Sequence, residues 1–253
     1  MIIDSHVHLK HGDAAGTEYT SDQIVEVMDA AGIDRSVVFA MSTTTRRSIE
    51  MARAAVERFP DRLIPYAYAL PSYERPVLDE LREAIEELGL CGIKLHIGEC
   101  RLREYIADPV FTLAGELGVP CLIDLGGDLA TAERIAADFP RTKLIYAHLG
   151  RYLCTDVKLI QSFIAVAERY PNVWLDASGV VVDWTIAEAV RRIGADRVLF
   201  GTDGPHAWPT LVDMARNAIR QIETLDISED EKAMVLGGSI AALLGLGGQP
   251  HSV

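Results

Sequence analysis

Residues 2–8 read Ile2-Ile3-Asp4-Ser5-His6-Val7-His8. The apolar start of this run predicts a strand, and in a strand side chains i and i+2 point to the same side. His6 and His8 therefore project together, at a spacing that lets two imidazoles grip one divalent cation. Two ordinary surface histidines are the competing reading of the pair alone. The same run also weighs on the fold. An open doubly wound sheet usually carries a glycine-rich phosphate loop after its first strand. Here that place holds Ser-His-Val-His, and Gly-x-Gly-x-x-Gly occurs nowhere in the chain.

Further apolar runs follow at 36–41, 63–70, 92–97, 120–125, 143–148, 173–177 and 197–202. Several are nearly continuous Val/Ile/Leu/Ala, as expected of strands covered on both faces. The segments between them carry helical periodicity. Ile24, Val27, Met28 and Ala31 share one face, with Thr20 or Ser21 as N-cap and Gly32 as the terminating glycine. Ile49, Ala52, Val56 and Phe59 form the next stripe, closed by Pro60, and 157–169 is another clear helix. Gly89, Gly118, Pro140, Pro171 and Gly194 punctuate later helices. Eight strands alternating with helices predict an α/β protein, a single-domain (β/α)8 TIM-like barrel over 1–246. Residues 247–253 are expected to be a tail, with no role for His251.

The chain has 253 residues, 49% of them hydrophobic, enough for one large core, and no linker-like stretch divides it. A formal charge of −13 and a pI near 4.9 argue against a nucleic-acid partner. Cys91, Cys100, Cys121 and Cys154 form no Cys-x-x-Cys pair and fit buried thiols of a reducing cytosol. The N-terminus has no basic, apolar leader, and no run approaches the roughly 18–20 apolar residues that span a bilayer. A cytoplasmic protein that engages no membrane is expected; a homodimer is left open.

In such a barrel the C-terminal strand ends meet at one mouth, where the chemistry lies. Besides His6 and His8, those ends carry Lys94 and His96, Asp124, His148 followed by Arg151, Asp176 with Ser178, and Asp203 followed by His206. Five of the seven histidines fall there. A lone His148 reads as a hydrogen-bonded core histidine and a lone Asp203 as a turn residue. The combination is harder to explain by stability.

These residues resemble the amidohydrolase superfamily, and most of all its amidohydrolase-related branch of metal-dependent hydrolases and decarboxylases. The resemblance rests on Ile3-Asp4-Ser5-His6-Val7-His8, Gly92-Ile93-Lys94-Leu95-His96, Ala147-His148-Leu149-Gly150 and Leu199-Phe200-Gly201-Thr202-Asp203-Gly204-Pro205, with Val235–Leu246 similar to the closing helix. It implies a barrel holding one divalent cation, zinc with manganese as the alternative. His6 and His8 would be ligands. Asp203 would be a ligand and the proton acceptor of a metal-activated water, and His148 a ligand or an acid/base group. The family usually has a metal-binding histidine where this chain has Asp124. Either Asp124 binds in its place, or His96 completes the sphere, or the metal is weak or absent.

The activity so implied is hydrolysis of an ester, lactone or amide in a small, carboxylated substrate. A metal lowers the pKa of bound water from about 15.7 toward about 7. Asp203 would take its proton, and His148 or His96 would support the oxyanion. Lys94, Arg151 and Asp124 would bind substrate, with Arg46 and Arg47 as further candidates for a carboxylate. Two alternatives stand beside it: nonoxidative decarboxylation of an aromatic or unsaturated acid, and a ligand-binding barrel whose metal site has decayed at Asp124.

Overall fold

The computed structural model describes residues 1–12 and 16–246; the expected tail at 247–253 lies outside them. Eight parallel strands alternate with helices. In chain order they are β1 (Ile3–His11), β2 (Glu18–Tyr19), α1 (Ser21–Ala31), β3 (Arg35–Ala40), α2 (Thr45–Arg58), β4 (Leu63–Tyr68), α3 (Leu78–Glu86), β5 (Gly92–His96) and α4 (Glu104–Leu117). They continue with β6 (Cys121–Asp124), α5 (Leu129–Asp138), β7 (Leu144–Tyr146), α6 (Val157–Arg169), β8 (Val173–Asp176), α7 (Trp184–Ile193), β9 (Val198–Leu199), α8 (Leu211–Glu223), α9 (Glu229–Ala233) and α10 (Ser239–Leu244). The sheet order is β2-β1-β3-β4-β5-β6-β7-β8-β9, with only the two-residue β2 antiparallel, beside Lys10 and His11.

The sheet is curled. Its two edges approach where the chain after β9 runs beside β1: Ser5 N donates to Phe200 O (2.9 Å), Asp203 N to His6 O (2.9 Å) and His8 N to Gly204 O (2.8 Å). This pairing explains why the last strand is short. In residues 200–204, expected partly as strand, Phe200 O, Asp203 N and Gly204 O bond to β1, Phe200 N bonds to Val235 O and Thr202 N to the Asp4 carboxylate, so no regular ladder with β8 continues. The expected strand at 143–148 likewise ends early, because His148 and Leu149 take left-handed φ values of 61° and 48°.

Two apolar layers result. Ile24, Met28, Ile49, Ala52, Ile160 and Phe163 pack between helices and sheet. Inside the curl lie Ile3, Val37, Phe39, Ile64, Tyr66, Leu122, Ile145 and Leu199, floored by Ile240 and Leu243 of α10. The caps agree with their residues. Thr20 and Gln23 form a capping box before α1, and Gly32 ends it at φ 82°.

One irregularity aims the site. The register between β1 and β3 slips between Asp4 and Val7: Asp4 pairs with Ser36 but Val7 with Val38. One extra residue on β1 reverses the inside–outside alternation. Ile3 faces the inner layer, yet past the bulge Val7 and Leu9 face the helices and His6 and His8 face inward.

Candidate active site

The strand ends open on a cavity of about 600 Å³ lined by residues that include His6, His8, Lys94, His96, Asp124, His148 and Asp203. At its base, ligand atoms of His6, His8 and Asp203 lie within 4.8 Å of one another. Asp203 Oδ1 is 2.8 Å from His8 Nε2 and 3.2 Å from His6 Nε2. His6 Nδ1 donates to Asp176 Oδ2 at 2.6 Å, which leaves the Nε2 lone pair turned into the cavity. Such a carboxylate behind a histidine is the usual way a ligand's tautomer is set. Ser178 fixes Asp176 in turn, through its N (2.8 Å) and Oγ (2.7 Å).

Burial keeps both imidazoles neutral. It lowers His6, helped by the nearby Lys94 charge, and lowers His8 to about 3 against the pull of Asp203. Burial pushes Asp203 up, but His6, His206 and His8 outweigh it and hold the carboxyl well below its ordinary range. Two neutral imidazoles and one carboxylate form a donor set suited to zinc or manganese. The arrangement fits a divalent cation.

Asp124 stands apart from that set. Its Oδ2 faces His96 Nε2 (3.1 Å) and His148 Nε2 (3.4 Å), and its Oδ1 accepts from Gly126 N (2.8 Å). His148 Nδ1 meets Ser178 O at 2.9 Å. Ser178 Oγ, 3.0 Å from the same Nδ1, donates to Asp176 Oδ2 at 2.7 Å, so both ring nitrogens of His148 face acceptors, an arrangement that favours the doubly protonated ring. Burial lowers His148, but the Asp124 bond and the charges of Asp203, Asp176 and Asp124 raise it overall. His96 Nδ1 accepts from Gly98 N at 2.9 Å, so its Nε2 carries the proton given to Asp124.

Lys94 is fully buried, its Nζ 3.1 Å from His6 Nε2 and 5.1 Å from the centre of the Phe39 ring. The expected arginines are elsewhere. Arg151 follows the left-handed His148-Leu149 turn, is exposed and does not line the cavity. Arg46 pairs with Glu83 at 2.6 Å and Arg47 with Glu50 at 3.6 Å, on the outside of α2 and α3. The sequence reading gives no role to Lys10, Glu99 or Tyr152, which line the cavity. Tyr152 stacks on His206 at 5.3 Å. Lys10 could have been found by extending the His6/His8 alternation by two residues; nothing local marks Glu99 or Tyr152.

A family model described as amidohydrolase matches residues 3–246. γ-Resorcylate decarboxylase from Rhizobium sp. (strain MTP-10005) is 24% identical over 250 residues, 73% of this chain and 76% of the relative. A dihydroxybenzoic acid decarboxylase from Polaromonas sp. JS666, solved with bound manganese and the inhibitor 2-nitroresorcinol, superposes with a TM-score of 0.72 at 20% identity, covering 98% of each chain. An amidohydrolase from Burkholderia multivorans superposes with a TM-score of 0.79 at 17% identity, covering 97% of this chain and 99% of the other.

Proposed function

Because the chain belongs to the amidohydrolase family, we propose that it is a metal-dependent, nonoxidative decarboxylase of a small hydroxylated aromatic acid. The curled sheet is then a (β/α)8 barrel sealed by the bonds between β1 and residues 200–204. The observation that carries the reading is His148, with Ser178 O at one ring nitrogen and the Asp124 carboxylate at the other, beside the His6–His8–Asp203 donor set. Decarboxylation of a ring needs a held proton, and a buried imidazolium facing Asp124 and the Ser178 carbonyl is a proton source. The named relatives, decarboxylases of dihydroxybenzoates, support the same direction.

His6, His8 and Asp203 would hold the cation, zinc or manganese. When bound, it supplies Lewis-acid polarisation of the substrate's oxygens. The chain's own residues do the rest. His148 gives its proton to the ring carbon that bears the carboxylate. The carbon–carbon bond then breaks, its electrons return to the ring, and carbon dioxide leaves. Asp124 keeps His148 charged before the transfer, and His96 orients Asp124. Lys94, whose ammonium meets His6 Nε2, would turn to an anionic oxygen of the substrate once that lone pair is engaged. Arg151 has no part in this scheme.

Hydrolysis is the second reading. Asp203, kept ionised beside His8, is a competent proton acceptor for water, and the Burkholderia neighbour is described as an amidohydrolase. Incubating metal-supplemented protein with a panel of hydroxybenzoates, and with esters and lactones of similar size, separates the two. Carbon dioxide release without uptake of water supports decarboxylation. Hydrolysis products with no carbon dioxide overturn it. Protein that takes up neither zinc nor manganese would favour a non-catalytic binding barrel.

A further inference from the structure

β1 is nine residues long, whereas the other strands of the sheet have two to six. Its last two residues pair with β2, Lys10 with Tyr19 and His11 with Glu18, beyond the stretch that pairs with β3. Gly12 N bonds to Thr17 O at 3.0 Å and closes the hairpin. β1 therefore overhangs the mouth as a braced ribbon. The bulge that turns His6 and His8 inward also turns Lys10 inward, on the same face two residues further out, about 6.6 Å beyond His8 along the strand.

Lys10 lines the cavity, half-buried. No described side chain pairs with it. Among the described residues that line the cavity, Lys10 and Lys94 are the only lysines and none is an arginine. The lining also carries Glu99, held by Tyr68 Oη (2.7 Å) and by Ser42 Oγ (3.0 Å). Among the charges of the lining, Lys10 attracts an anion at the β1 overhang, while Glu99 repels one from its own neighbourhood.

We propose that Lys10 selects substrates bearing a second anionic group, a carboxylate or comparable oxyanion, on the far side of the ring from the group that meets His6, His8 and Asp203. This assignment rests on the aromatic-acid reading above and names its substrate class more narrowly. Lys10 acts as a specificity residue and takes no part in proton transfer.

The test uses two inert probes that differ by one carboxylate, 2-nitroresorcinol and 3,5-dihydroxy-4-nitrobenzoate, titrated calorimetrically into manganese-loaded protein. The carboxylated probe should bind more tightly to wild type. Lys10→Met should weaken it about fivefold and Lys10→Glu more, with 2-nitroresorcinol changed less than twofold in Lys10→Met. Added salt should erode the preference in wild type but not in Lys10→Met. If both probes bind and Lys10→Met changes neither, the Lys10 assignment is overturned and the aromatic-acid reading stands. If neither probe binds wild type, the aromatic-acid reading falls and takes this assignment with it.

Discussion

Asp176 and Asp124 do different work through the same kind of bond, a carboxylate on an imidazole. Asp176 takes the Nδ1 proton of His6 and frees Nε2 for a cation. Asp176→Asn should lower metal affinity about 10–100-fold while leaving the fold intact, read by competition with a chelator. Unchanged affinity would show that the His6 tautomer is set elsewhere. Asp124 acts on His148. Asp124→Asn removes the largest of the contacts that raise His148 against its burial, while Asp203 and Asp176 remain, so the His148 midpoint should fall. Ring-nitrogen NMR across a pH series reads this directly. The alkaline limb of any decarboxylation profile should shift to lower pH with it, because the protonated ring is the active form. A midpoint that stays in place would remove Asp124 from the proton's support. The residues of the donor set were legible in the sequence, since His6, His8 and Asp203 carry their chemistry in their own side chains. The role of His148 was only half legible, because one of its two acceptors is a backbone carbonyl, which no side-chain pattern announces. Arg151 misled for a related reason. Its position after a strand end was right, but the left-handed turn at His148 and Leu149 carries it away from the cavity.

At the scale of elements, runs of Val, Ile and Leu covered on both faces made the strands readable, and glycine and proline punctuation made the helices so. The bulge between Asp4 and Val7, which decides that His6, His8 and Lys10 point inward, left no mark in composition. Neither did the hairpin overhang, since two residues at Glu18 and Tyr19 are too few for any periodicity. The closing segment shows what such local detail is worth. Its helix is interrupted by a wide turn at Met234–Gly238 before α10 begins. A Cβ on Gly237 would stand 2.5 Å from Met1 O and 3.1 Å from Ile3 N, atoms of backbone that cannot step aside. Gly237→Ala should cost about 1–3 kcal/mol. For a chain of this size that is a fall of about 2–4 °C in Tm for each kcal/mol, measurable by calorimetry. An unchanged Tm would mean that the closing segment does not press on the start of β1.

For the molecule as a whole, the acidic surface and the cavity are separate facts. The chain carries a net charge of −13, yet its cavity is lined by Lys10 and the buried Lys94 together with five histidines and three carboxylate residues. No helix among the described residues is long and apolar enough to cross a membrane. The donor set draws on β1 and on residues 200–204, the two edges whose hydrogen bonds complete the curl. A cation there ties the first strand to the last, so binding and global stability are linked. At 100 times its Kd the ion adds about 2.7 kcal/mol. Chelation should therefore lower Tm by roughly 5–10 °C, and a Tm indifferent to chelator would place any bound metal away from this seam.

The most direct measurement is metal stoichiometry by plasma mass spectrometry, after equilibration with zinc or manganese and removal of excess, on wild type and on a His8→Ala/Asp203→Asn variant whose circular dichroism matches wild type. One ion per chain in wild type and almost none in the variant is the expected result. Equal metal in both, or none in wild type, would contradict the assignment of His6, His8 and Asp203 as a metal centre.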